Sequence, residues 1–211
     1  PSQLEMYLTL SDLCQVTRKA IDMEPILRDF PHQIETERLL IRCPLPGDGA
    51  SLAAAVQESL PELRPWLPWA MSDPTPEESE ANVRRGYARF LSREDLWLML
   101  LLKGTDKIIG GSGLHRIDWS IPKFEIGYWL GTPYTGQGYI TEAVSAISGF
   151  AFNVLNAQRV EIHCDALNVR SAAVARRLDF THEGTLRHHR RNHLTNDLRD
   201  TMIFAKVANH E

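Results

Sequence analysis

The chain has 211 residues, 43% of them hydrophobic and 24% charged, with a formal net charge of −4; this is ordinary usage for one globular domain and excludes two full domains, leaving room for a short appendage. The longest apolar run, Leu96–Leu102, is strand-sized and too short to cross a bilayer, the first residues lack the basic-then-apolar order of a signal peptide, and the acidic balance disfavours nonspecific nucleic-acid binding. Cys14, Cys43 and Cys164 form no CxxC pair and no zinc-binding spacing, so they read as reduced core thiols of a cytoplasmic protein.

In chain order, apolar positions at Leu10, Leu13, Val16, Ala20 and Ile21 predict a helix that stops before Pro25, an N-terminal helical extension over residues 1–30. A short strand, Leu39–Cys43, a Pro/Gly break and an Ala-rich helix from about Asp48 to Ser59 follow. In "TPEESEANVRRGYARFL", Thr75 can cap a helix, Pro76 suits its first position and Glu78 completes a capping box. "DLWLMLLL" and "KIIGGSGL" are apolar runs joined by the turn "KGTD", a hairpin signal, and "KFEIGYWL" is a third strand. A glycine turn opens a helix over about Gly138 to Asn153. Then come a strand at Arg159–Cys164, a helix at Asn168–Arg177, and strands near Phe180–Thr185 and Asp200–Val207. The order predicts a mixed α/β sheet with helices on its faces.

The turn "GTPYTGQGYITEAV" places Gly136 and Gly138 between a strand and a helix, where first-turn N–H groups lack intrahelical partners and the helix dipole adds positive potential. The backbone can approach an oxygen-rich anion there, and Thr141 adds a hydroxyl. Neither the Gly-Lys-Ser/Thr ending of a nucleotide-triphosphate loop nor the third glycine and acidic partner of a dinucleotide fold is present. Alone, the turn is better explained by local turn chemistry.

A second segment changes that reading. "FEIGYWLGTPYTGQGYITEAV", followed about thirty residues later by "NVRSAAVARRLDFTHEG", resembles the GNAT superfamily of acyl-CoA-dependent N-acyltransferases, in particular its RimJ/RimL branch, which acetylates N-termini of ribosomal proteins. "ETERLLIRCPLPGD" and "RPWLPWA" are similar to that branch too. The likeness runs from about Glu35 to the C-terminus, giving an acyltransferase domain over residues 31–211. It implies a central, mostly antiparallel sheet with splayed middle strands and helices on both faces. It further implies acetyl-CoA as co-substrate and no metal, with an amine acceptor, either a protein N-terminus or a small molecule. No nucleic-acid or membrane partner is implied, and a homodimer is compatible. The pyrophosphate would lie on the loop Thr135, Gly136, Gln137, Gly138, Tyr139, Ile140 and Thr141, and pantetheine along the backbone of Trp129, Leu130 and Gly131, with Asn168 holding the far strand end. Thr135 stands where the branch usually has Arg or Gln, and Ile140 where it has a small residue, so backbone amides would carry more of the phosphate binding.

Acetyl transfer to an ammonium requires a base, an oxyanion donor and a proton for the departing thiolate. Strand alternation puts Glu125, Gly127 and Trp129 on one face of an otherwise apolar strand, where burial is expected to raise a carboxyl pKa. The wider superfamily often carries its catalytic glutamate at this position, and a half-exposed surface glutamate is the competing reading. A backbone N–H near Leu130 would polarise the acetyl oxygen. The superfamily's tyrosine in the last helix is replaced by Ala175, leaving Ser171 to meet the thiolate or simply to cap its helix. Trp66, Trp69, His115 and Trp119 are candidates for the acceptor mouth, with apolar packing as the alternative for Trp66 and Trp69. "LRHHRRNHL", Leu186 to Leu194, reads as a solvated hairpin loop, and Arg170, Arg176 and Arg177 as either cofactor-phosphate ligands or solvated charges. A non-catalytic CoA-binding or protein-interaction module of the same fold is the alternative to the enzyme.

Overall fold

The computed structural model describes residues 23–208. The helix expected before Pro25 falls on residues 1–22 and lies outside the described residues. Pro25–Leu27 form a single 3-10 turn. Phe30, 6% exposed, belongs to the main core. Arg93 holds this approach in place: its Nε and Nη2 donate to the Arg28 carbonyl at 3.1 and 2.9 Å, and its guanidinium lies 4.1 Å from the Phe30 ring centroid.

Eight strands form one sheet: β1 (Gln33–Glu35), β2 (Leu39–Arg42), β3 (Leu96–Leu102), β4 (Ile108–Asp118), β5 (Lys123–Leu130), β6 (Arg159–Asp165), β7 (Thr181–Arg191) and β8 (Leu198–Val207), in the order β1-β2-β3-β4-β5-β6-β8-β7. Every neighbouring pair is antiparallel except β5 and β6. That pair is joined by a helix crossover, the connection that parallel strands require. Five α-helices complete the described fold: α1 (Gly49–Gln57), α2 (Leu60–Leu63), α3 (Pro76–Ser92), α4 (Tyr139–Asn153) and α5 (Val169–Arg177). At the start of α3 the Thr75 hydroxyl accepts from the Glu78 N–H at 3.1 Å and donates to the Glu78 carboxylate at 3.1 Å, so the cap forms as expected while the reciprocal bond runs between side chains.

The apolar run of β3 is continuous because this strand is covered on both faces. Leu98 and Leu100 pack into the core beneath α4, whose buried Ala143, Val144, Ile147 and Ala151 recur at helical spacing. Met99 and Leu101 point the other way, into a second core with Leu52 and Val56 of α1, Leu60 and Leu63 of α2, and Val83 of α3. The expected mixed sheet with helices on both faces is therefore present. Among the described residues, no helix is long and apolar enough to cross a membrane.

The basic segment from Leu186 is not a loop: β7 continues to Arg191, and Arg190 and Arg191 pair with Arg199 and Leu198 of β8. Register shifts between His182 and Gly184 and between Leu186 and Arg190 absorb the extra residues. An exposed edge strand needs no apolar alternation, so the polar run hid it.

Candidate active site

β5 and β6 pair only at Lys123–Glu125 with Arg159–Glu161; beyond those residues the two central strands part. The Gly131 N–H donates to the Ile109 carbonyl of the β4 side at 2.7 Å. Alternation along β5 then turns the backbone groups of Tyr128 and Leu130 toward the gap, where no β6 residue pairs with them. Of the expected Trp129–Gly131 stretch, the amide facing the gap is that of Leu130.

At the end of the gap, Thr132–Tyr134 make a 3-10 turn and the chain passes through Gly136 (φ 75°) and Gly138 (φ 84°) into α4. Both glycines hold left-handed conformations that residues with a Cβ disfavour. Among the described residues no side chain caps α4, so its first-turn N–H groups keep the capacity to bind an anion. Two guanidinium groups flank this loop. Arg38 donates from Nη1 to the Gln137 carbonyl at 2.9 Å, and Arg177 of α5 donates from Nη1 to the Thr141 hydroxyl at 3.0 Å. Arg177 was one of three arginines with two readings; Arg176 instead packs over Phe204, 5.4 Å from the ring centroid. Arg38 gave no signal in the sequence, because its partners lie about a hundred positions away.

Across the gap, the Asn168 side chain accepts from the Ser171 N–H at 3.1 Å and is the helix cap, which leaves the Ser171 hydroxyl free of that duty. It donates instead to the Tyr128 phenol at 3.0 Å, while the phenol donates to the Ser171 carbonyl at 2.9 Å. Ala175 is fully buried. A tyrosine hydroxyl therefore reaches this end of the gap from β5. Cys164 lies in the same region, and burial, only partly offset by a hydrogen bond with Ser171, pushes its thiol up.

The opposite face of β5 carries Glu125, Gly127 and Trp129, as alternation predicts. Its surroundings are polar, not apolar. Glu125 Oε2 lies 3.3 Å from Arg116 Nε and 3.2 Å from His163 Nδ1, and His163 Nε2 lies 2.9 Å from Glu161 Oε2. Burial opposes the charge of Glu161, but hydrogen bonding and proximity to Arg159, with His163 nearby, outweigh it and hold its carboxyl below the usual range. Glu125, Glu161 and His163 each place one ligand atom within 4.8 Å of the others, the one such grouping among the described residues. Arg116 and Arg159 already pair with its carboxylates.

His115 sits opposite Glu125 in the β4–β5 register, and its Nδ1 is 2.8 Å from Asp95 Oδ2. Glycines leave room for the rings on this face: an added Cβ would come within 2.5 Å of the Trp129 indole at Gly111 and within 2.8 Å of the His115 imidazole at Gly113. Trp69, half exposed, meets Trp129 edge-on with centroids 5.9 Å apart, and Trp66 is partly exposed nearby in sequence. Trp119 does not join this mouth. Its Nε1–H donates to the Arg93 carbonyl at 2.9 Å and its ring packs on Phe124.

Residues 38–181 match the sequence profile of a family described as an acetyltransferase (GNAT) domain. YdaF of Bacillus subtilis, provisionally named a ribosomal N-acetyltransferase, is 32% identical over 155 residues, 72% of this chain and 82% of its own. An uncharacterised N-acetyltransferase, p20 of Bacillus licheniformis, is 36% identical over 88 residues; that match spans 42% of this chain and 49% of p20. Among solved structures, RimL, a ribosomal L7/L12 alpha-N-protein acetyltransferase in complex with coenzyme A, superposes with a TM-score of 0.76 at 23% identity, covering 83% of this chain and 97% of that one.

Proposed function

The chain belongs to the GNAT family of acetyltransferases, in its RimL-like branch, with acetyl-CoA as co-substrate and an amine as acceptor, and from that premise we propose that the acceptor is the α-amine of a protein N-terminus. The observation that carries this is the openness of the acceptor face: Trp69 is 51% exposed edge-on to Trp129, and Trp66, three residues earlier, is 38% exposed, a lip that a chain end can enter without a lid having to close. The names of YdaF and RimL point to the same acceptor class.

In this reading the pyrophosphate rests on the amides of Gly136 to Thr141, with Thr135, Gln137, Tyr139 and Ile140 shaping the loop and Arg38 and Arg177 supplying the positive charge that position 135 lacks. The inward-facing groups of Tyr128 and Leu130 take pantetheine and polarise the acetyl oxygen. Ser171 offers its hydroxyl to the departing thiolate. Glu125, whose Oε2 already faces Arg116 and His163, serves as the negative charge that draws the ammonium onto this face, in place of the proton-accepting role its strand position suggested. Residues 31–211 act as the catalytic domain, with residues 1–30 an extension whose described end is held to it at Arg28 and Phe30.

The test is a panel of acceptors scored by mass: lysine-free peptides with free N-termini, polyamines and amino sugars, each incubated with protein and acetyl-CoA. Addition of one acetyl group to peptide α-amines supports the reading. Turnover confined to the small amines would overturn the acceptor assignment.

A further inference from the structure

We propose that His115, oriented by Asp95, is the base that takes the proton from the acceptor ammonium. The inference rests on the acetyltransferase reading above and assigns a role on the same face. Asp95, in the turn that ends α3, faces His115 Nδ1 with a carboxylate oxygen at 2.8 Å. A carboxylate only accepts, so Nδ1 carries the hydrogen and the lone pair stands on Nε2. Nε2 has no hydrogen-bond partner among the described residues. The other histidine on this face, His163, has a carboxylate at each ring nitrogen.

The ring's seat also points inward. An added Cβ at Gly113 would lie 2.8 Å from both Cε1 and Nε2, and one at Gly127 would lie 3.2 Å from Cδ2 and 3.5 Å from Nε2. The imidazole therefore lies across the β4–β5 pair over Gly127, two residues past the point where β5 and β6 part. Its side chain is 29% exposed, within reach of an entering amine. The charged groups around it are Asp95 from the α3–β3 turn, Glu125 as its register partner on β5 and Arg116 next along β4.

The ammonium gives one proton to Nε2, leaving His115 as imidazolium beside Asp95. The amine nitrogen then bonds to the acetyl carbon, the carbon–sulfur bond breaks, and the second proton lost by nitrogen goes to the thiolate. His115 returns its proton to solvent. Asp95 is a positioning residue: it fixes which nitrogen is free and favours the imidazolium once formed.

The experiment compares His115→Ala, Asp95→Asn and Glu125→Gln with the parent, using a short lysine-free peptide with an N-terminal serine, or whichever amine of the panel the parent accepts. His115→Ala should lower kcat by about 10²-fold or more, within the range of a general base, with KM for acetyl-CoA unchanged. Added imidazole should restore part of the rate. Independently of any acceptor, nitrogen chemical shifts of neutral His115 should report hydrogen on Nδ1 in the parent and a mixture of tautomers in Asp95→Asn. A His115→Ala kcat within twofold of the parent overturns the proposal, as does hydrogen on Nε2 in the parent. A parent that acetylates polyamines but no peptide overturns the α-amine reading and leaves the His115 comparison to be made on the polyamine.

Discussion

Arg38 and Glu142 meet with Nη2 and Oε2 at 2.6 Å beneath the glycine turn, and the same guanidinium donates to the Gln137 carbonyl inside that turn. The pair ties the start of β2 to the first turn of α4, so the loop's geometry depends on an ion pair as well as on its glycines. Burial opposes the charge of Glu142, but hydrogen bonds from Thr36 and from Arg38, together with the nearby guanidinium, outweigh it and hold the carboxyl below the usual range. A lowered folded pKa adds stability above the ordinary glutamate value of about 4.3 and loses it as pH falls through the folded value. Glu142→Gln should therefore lower the melting temperature near neutral pH, with the gap to the parent closing below about pH 4. It should also weaken acetyl-CoA binding. A gap that stays constant down to pH 3 would show that the carboxylate's charge contributes nothing.

Acetyl-CoA should raise the melting temperature, because a ligand that binds only the native state stabilises it, by about 2.7 kcal/mol at a hundred times its Kd. Gly136→Asp should act twice. At φ 75° a side chain is strained by roughly 1–2 kcal/mol, and the carboxylate opposes a pyrophosphate on the same amides. The variant should melt lower without ligand and show little or no shift with it. A normal ligand shift in Gly136→Asp would move the phosphate site away from this loop.

What could be read from the sequence was local. The glycine turn, the Thr75 cap, the Asn168-to-Ser171 segment and the alternation that puts Glu125 beside Trp129 are each set within a few residues, and each appears where expected. Capping was one of the two roles expected of Ser171, and it falls three positions earlier, at Asn168. Asn and Ser both cap helices, and only the structure shows Asn168 taking the bond and Ser171 turning to Tyr128. The groups that surround the site are paired between elements distant in sequence: Arg38 with Glu142 over 104 positions, Glu125 with His163, and Asp95 with His115 across the β3–β4 hairpin. No short-range pattern records those partnerships.

Tyr128 and Ser171 should be separable by pH. Burial pushes the Tyr128 phenol above its ordinary value, against a partly opposing hydrogen bond with Ser171. A raised folded pKa adds stability below the ordinary tyrosine value of about 10 and loses it as pH climbs beyond that. In the native protein one tyrosine should resist ionisation in an ultraviolet titration, and Tyr128→Phe should remove that resistant group at a cost of about 1 kcal/mol for each of the two hydrogen bonds lost. Ser171→Ala should lower kcat at both neutral and alkaline pH, because supplying free amine does not replace a donor to the thiolate. Full recovery of Ser171→Ala at high pH would remove the hydroxyl from that step.

Glu125→Gln tests whether the carboxylate on β5 attracts the acceptor or deprotonates it. The oxygen facing Arg116 and His163 is held at 3.3 and 3.2 Å, and the side chain stands opposite His115 in the strand register. Removing its charge while keeping its shape leaves Arg116 without a counter-ion on a face that must receive an ammonium, so KM for the amine should rise. The rise should shrink in high salt, which screens the partly exposed Arg116 most strongly. It should also shrink as pH approaches the amine's own pKa, about 8 for an α-amine, since a neutral acceptor is less repelled. kcat at saturating amine should change less than in His115→Ala, and acetyl-CoA binding should stay as in the parent. If instead kcat falls by about 10²-fold or more with KM unchanged, and recovers as alkaline pH supplies free amine, Glu125 is the proton acceptor and the imidazole opposite it only positions the substrate.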